Sequence, residues 1–120
     1  AYRPLGPRPA ERASRGGARM DPAFMDRLQG LRQEFGLPMP LTSAYRGGDP
    51  NAHGLGRAVD VLIHGAAARR LAALAVIHGF NGIGLRQHGP HARRFIHLDD
   101  LKDAPGRPRP SIWTYDAEKE

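Results

Sequence analysis

The sequence predicts one α+β domain, a small antiparallel sheet flanked by two helices. Three observations lead there. A chain of 120 residues, 40% of them hydrophobic, fills one core and leaves little for a second. Fifteen glycines and eleven prolines interrupt regular structure too often for a coiled coil or a plain helical bundle. Finally, two stretches of helical period are interleaved with short apolar runs of strand character.

The elements follow in order. The first twenty residues hold Arg3, Arg8, Arg12, Arg15 and Arg19 against Glu11 alone and show no hydrophobic period. Residues 1–20 therefore read as a basic Pro/Gly/Arg-rich arm, irregular or ordered only by a partner, with the domain at 21–116 and a polar tail at 117–120. Asp21-Pro22 supplies an N-cap followed by proline at the first helical position. Phe24, Leu28, Leu31 and Phe35 then recur at helical spacing until Gly36 and Pro38 stop the pattern. Leu41 to Arg46 reads as a short strand, Gly47 to Gly56 as a loop of turn formers, and Ala58 to Ile63 as a buried strand. Gly65 to His78, with Leu71, Leu74 and Ile77, forms the second helix, closed by Gly79. Ile83 to Arg86 and Phe95 to Asp99 are two more strands, able to pair as a hairpin around a polar loop with His88 and His91. From Lys102 the chain is Pro-rich and extended, with Trp113 and Tyr115 as the large groups that pin it to the body.

Composition excludes several classes. Without cysteine there is no disulfide framework and no thiolate metal site, so a bound metal must use histidine, carboxylate and water. No apolar run approaches the roughly 20 residues of a membrane helix, and the first residues lack a signal-peptide pattern, so a soluble chain is expected. The net charge of +6 sits mostly in the arm, leaving +2 for the other hundred residues. That arm lacks the interleaved aromatics of a nucleic-acid binder, and a docking role suits it better. Gly82-Ile83-Gly84 is no phosphate cradle, since no Gly-rich fingerprint or helix start follows it.

The chemistry concentrates in SAYRGGDPNAHGLGRAVD, residues 43–60, and FIHLDD, residues 95–100. His53 lies in a glycine-flanked loop. Asp60 and His97 lie among aliphatic neighbours, where an unpaired charge is costly. Strand alternation puts His97 and Asp99 on one face. If that face meets the face of Asp60, two imidazoles and a carboxylate converge, the three-ligand pattern of a catalytic zinc. The competing reading is a buried His and Asp satisfied by hydrogen bonds. His64 and His78 flank the second helix as surface or capping groups, and His88 and His91 form a weak H-x-x-H.

Ser43-Ala44-Tyr45-Arg46, His53-Gly54-Leu55-Gly56-Arg57-Ala58-Val59-Asp60, Gly82-Ile83-Gly84 and Phe95-Ile96-His97-Leu98-Asp99, in this order, resemble the motifs of the zinc D-alanyl-D-alanine carboxypeptidase family. That family contains bacterial and phage wall peptidases and shares its fold with the hedgehog signalling domain. The likeness spans about residues 21–115. It implies a hedgehog-like fold, one zinc ion, and His53, Asp60 and His97 as its ligands. It makes Arg46 the group that meets a terminal carboxylate or developing oxyanion, against a surface ion pair with Asp49. Trp113 matches an aromatic that either stacks on substrate or packs in the core. Where many relatives place a proton acceptor before the last ligand, this chain has Arg93, Arg94 and Phe95. Asp99 is the nearest replacement, as base or as hydrogen-bond partner of His97, with His91 a second candidate. Ala52 stands where a serine is often found.

The function so implied is zinc-dependent hydrolysis of peptidoglycan peptide bonds, as carboxypeptidase or endopeptidase, with the stem peptide as partner. The expected location is the periplasm, the extracellular space or a phage virion, where the arm would dock to envelope or virion proteins. The rival is a catalytically weak or inactive module of the same fold that binds wall or anchors in a larger assembly.

Overall fold

A computed structural model of the chain describes residues 20–43 and 56–115. The arm, the 44–55 stretch with Arg46, Asp49 and His53, and the tail from 116 lie outside the described residues.

The first helix, α1 (Pro22–Phe35), begins where its cap predicts. The Asp21 carboxylate accepts from the Phe24 N–H at 2.8 Å, satisfying one of the donors a helix start leaves unpaired. It ends at Gly36, whose φ of 73° is left-handed and whose N–H donates to the Arg32 carbonyl. Phe24, Met25, Leu28, Leu31 and Phe35 are buried. Met20, just before the cap, is buried with them.

Among the described residues five strands form one sheet: β1 (Leu41–Ser43), β2 (Ala58–Leu62), β3 (Gly82–Arg86), β4 (Phe95–Asp99) and β5 (Ser111–Thr114), in the order β1-β2-β4-β3-β5. The hairpin expected between β3 and β4 is present, with Gly82 opposite Asp99 and Gly84 opposite His97. Three pairings are antiparallel, while β5 runs parallel to β3 and makes the sheet mixed. The Pro-rich segment thus ends in a strand and not simply in an extended tail.

The second helix, α2 (Gly65–Ile77), lies against α1 and β4 and buries Ala68, Leu71 and Ala75 in the same core. Ile77, expected on the apolar face, is 73% exposed, because the last turn runs past the edge of the core. Alternation divides the sheet cleanly. Val59, Val61, Ile83, Ile96 and Leu98 turn to the helices and are almost wholly buried, and Phe24 packs edge-on to Phe80 at 5.7 Å. The other face carries Asp60, His97, Asp99 and the two β3 glycines. Arg57 ties this scaffold together: its guanidinium bonds both Asp100 oxygens at 2.8 and 2.9 Å and reaches Asp21 at 3.1 Å. It thereby clamps the start of β2 to the end of β4 and to the α1 cap.

Candidate metal centre

Register places Asp60 directly opposite His97, His97 opposite Gly84, and Gly84 opposite Trp113. One row across the sheet therefore holds the carboxylate, the imidazole and the indole, with no side chain on the strand between the last two. That gap is required. A Cβ on Gly84 would stand 2.6 Å from the Trp113 Nε1 and 2.8 Å from the Tyr115 hydroxyl, and one on Gly82 would overlap the Asp99 carboxylate. The Gly-x-Gly pair lets Asp99 and Trp113 lie across β3.

His97 is held on both edges of its ring. Nδ1 lies 3.1 Å from Asp60 Oδ1, and Nε2 lies 2.8 Å from Asp99 Oδ2. The side chains of His97, Asp60 and Asp99 are 10%, 15% and 0% exposed. Asp99 also receives the Arg109 guanidinium, Nε to Oδ1 at 3.0 Å and Nη2 to Oδ2 at 2.8 Å, and the Leu101 N–H at 3.2 Å. Arg109 in turn lies 4.9 Å from the Trp113 ring, whose centroid is 5.3 Å from that of His97. Trp113 thus contributes by packing on the site's own cation and imidazole.

The protonation logic follows. Burial opposes charge on both His97 and Asp99, and in both the partners prevail. The hydrogen bonds and charges of Asp60 and Asp99 raise the His97 pKa above its ordinary value. Those of His97 and Arg109 lower that of Asp99 to about 2. A carboxylate so occupied is a poor proton acceptor, and its geometry is that of an orienting partner. With Nε2–H donated to Asp99, Nδ1 faces a carboxylate oxygen. Two acceptors 3.1 Å apart repel, so something positive belongs between them, either a proton or a metal ion.

The spacing is that of a hydrogen bond and also admits a metal. Zinc bonds of about 2.0–2.1 Å at tetrahedral angles set neighbouring donors about 3.3 Å apart, close to the 3.1 Å seen between Nδ1 and Oδ1. A histidine with one nitrogen toward the metal and the other donating to a carboxylate is a recurrent zinc arrangement. Among the described residues no group of three His, Asp or Glu side chains could hold a metal, because Asp99 lies on the opposite edge of the imidazole. Asp60 and His97 are thus a two-donor fit.

The other expected site residues divide simply. Arg46 and His53 lie outside the described residues. His64 and His91 stack at 4.4 Å, and His78 caps α2 and pairs with Glu34. Arg109 was not anticipated. Its signal is the buried Asp99, which needs a cation, but the final Pro-rich segment holds both Arg107 and Arg109, with no local pattern to choose between them.

Among the described residues the sheet face thus carries an imidazole and a carboxylate facing each other, backed by a second carboxylate. The chain matches the family model for Peptidase M15 over residues 9–99 and belongs to that family, whose members are zinc-dependent peptidases of the peptidoglycan-acting type. No curated protein and no solved structure matches it significantly.

Proposed function

We propose that this chain hydrolyses a peptide bond of bacterial peptidoglycan, as a D-alanyl-D-alanine carboxypeptidase or as an endopeptidase of the stem or cross-link. The observation that carries the reading is His97 held between two carboxylates, with Nδ1 facing Asp60 Oδ1 at 3.1 Å, a separation that a shared metal ion also fits. His53, Asp60 and His97 would hold the metal. Zinc bound there supplies Lewis-acid polarisation of a carbonyl and a water acidic enough to react near neutral pH. Asp99, fixed by Arg109, keeps the His97 Nε2–H in place, so that Nδ1 presents its lone pair toward Asp60. Arg46 steadies the terminal carboxylate or the oxyanion, and Trp113 walls the site. Such an enzyme works where wall is exposed: in the periplasm, outside the cell, or carried on a virion. Among the described residues no helix is long and apolar enough to cross a membrane.

A second reading, a wall-binding module with little turnover, draws on the saturation of Asp99 and on Arg93 and Arg94 preceding β4. Incubating the zinc-loaded protein with purified peptidoglycan and identifying released fragments by mass spectrometry separates the two. Released D-alanine or stem fragments support the enzyme, and wall binding without release supports the module.

A further inference from the structure

Beside the candidate metal centre, on the same face of the sheet, is a cavity of about 610 Å³ whose walls include Leu62, Arg86, Arg93, Phe95 and Tyr115. Leu62, Phe95 and Arg86 form one register row across β2, β4 and β3. The Asp60, His97 and Gly84 row lies two residues further along each strand, about 7 Å away. That is about two residues of extended peptide, so a peptide lying over the centre along the strands would run into the cavity.

Among the described residues that line this cavity none is acidic. The arginines at the far end of the sheet are engaged, Arg57 with Asp100 and Asp21 and Arg109 with Asp99, and at the cavity's own end Arg94 donates to the Gly89 carbonyl at 3.0 Å. Arg86 is directed inward, donating to the Arg93 carbonyl at 2.9 Å and thereby holding the 3₁₀ turn His91–Arg93 in place. A backbone bond from the Arg93 N–H to the Pro90 carbonyl at 2.9 Å fixes the same turn. Arg93 itself is exposed, and its guanidinium has no acidic partner among the described residues. A cation on a fixed turn, above an apolar floor in which Phe95 and Tyr115 pack at 5.2 Å, is built to receive an anion on an otherwise apolar stem.

We infer that this cavity is a subsite for a non-terminal carboxylate of the peptide substrate, and that Arg93 selects it. The inference rests on the peptidoglycan reading above and deepens it. It also gives a use to the basic residue standing where a proton acceptor was expected. A guanidinium matches a carboxylate with two parallel donors, which a neutral amide cannot satisfy.

Calorimetric titration with two synthetic stem tetrapeptides tests this. One carries its internal carboxylate free and the other has it amidated, and both keep the terminal carboxylate. At low salt the wild-type chain should bind the free acid about 5- to 10-fold more tightly, as expected for one partly solvated charge-assisted pair. Arg93→Gln should bring the two peptides to parity, and Arg93→Lys should restore part of the difference, with melting curves checking the fold. Equal wild-type affinities, no binding of either peptide, or an undiminished preference in Arg93→Gln overturns the subsite. Hydrolysis is followed separately. A preserved binding preference with neither peptide cleaved sustains the subsite and overturns only the reaction, whereas cleavage of both peptides with equal kcat/KM overturns the subsite alone.

Discussion

Replacing Arg109 with methionine removes the cation beneath Asp99 while roughly keeping the volume that packs on Trp113. The Arg109 and Asp99 side chains are 10% and 0% exposed and meet at 2.8 Å. Removing one member of so buried a pair typically costs about 3–5 kcal/mol, because the remaining charge stays desolvated. His97 remains as a second donor, which puts the expectation near the low end, about 3 kcal/mol, or a fall in Tm of at least about 12 °C for a domain of this size. The pH dependence is a second readout. In metal-free protein the native Asp99 carboxyl titrates at about 2 instead of 3.8, so the folded state holds its proton less tightly than the unfolded state. The resulting stability, about 2 kcal/mol, is fully present above about pH 4 and is lost as pH falls toward 2. Arg109→Met should raise the native value, so that the acid-side loss shrinks in size. Urea melts of both proteins from pH 7 to pH 2, followed by the fluorescence of the one tryptophan, measure both effects. A destabilisation under about 1 kcal/mol with superimposable acid limbs would refute the reasoning.

Three further predictions concern single positions. Gly84→Ala should force Trp113 and Tyr115 aside, destabilising the domain by about 1–3 kcal/mol and shifting tryptophan emission; an unchanged spectrum and melt would show that the gap on β3 is not needed. Asp99→Asn should leave a folded protein whose zinc affinity, measured by competition with a chromophoric chelator, is weaker by about 10- to 100-fold. If zinc affinity holds while turnover vanishes, Asp99 is the base after all. Arg46→Ala should retain zinc and fold yet lose about 10²- to 10³-fold in kcat on a stem peptide, and a wild-type rate would return Arg46 to the role of a surface ion-pair residue.

Legibility from sequence followed the strength of local signals. The α1 helix announces both ends through Asp21-Pro22 and Gly36, because a cap and a left-handed glycine are local chemistry. Strand β4 (Phe95–Asp99) is legible along its whole length, since Ile96 and Leu98 alternate with His97 and Asp99 and only a strand sorts them onto two faces. Two charged residues in aliphatic surroundings, Asp60 and His97, each call for a partner, but the residues alone leave their meeting conditional, and the family motifs are what single the pair out. What stayed hidden is non-local. Strand β5 is four residues long, follows three prolines and leaves Ile112 58% exposed, so neither its length nor its pattern distinguishes it from a loop. Its parallel pairing with β3 depends on tertiary contacts. Arg109 is chosen by geometry among neighbouring arginines, and the steric need for Gly82 and Gly84 exists only once Asp99 and Trp113 lie across them.

The central claim is that Asp60 and His97 face each other as metal donors. Elemental analysis of the full chain, purified without chelators and equilibrated with zinc, tests it most directly, compared with Asp60→Ala and His97→Ala variants shown by circular dichroism to be folded. The account predicts about one zinc per wild-type chain and a large loss in both variants. A wild-type chain that takes up no zinc, or variants that bind it as well as the wild type, would contradict the account and leave His97 an imidazolium held between two carboxylates.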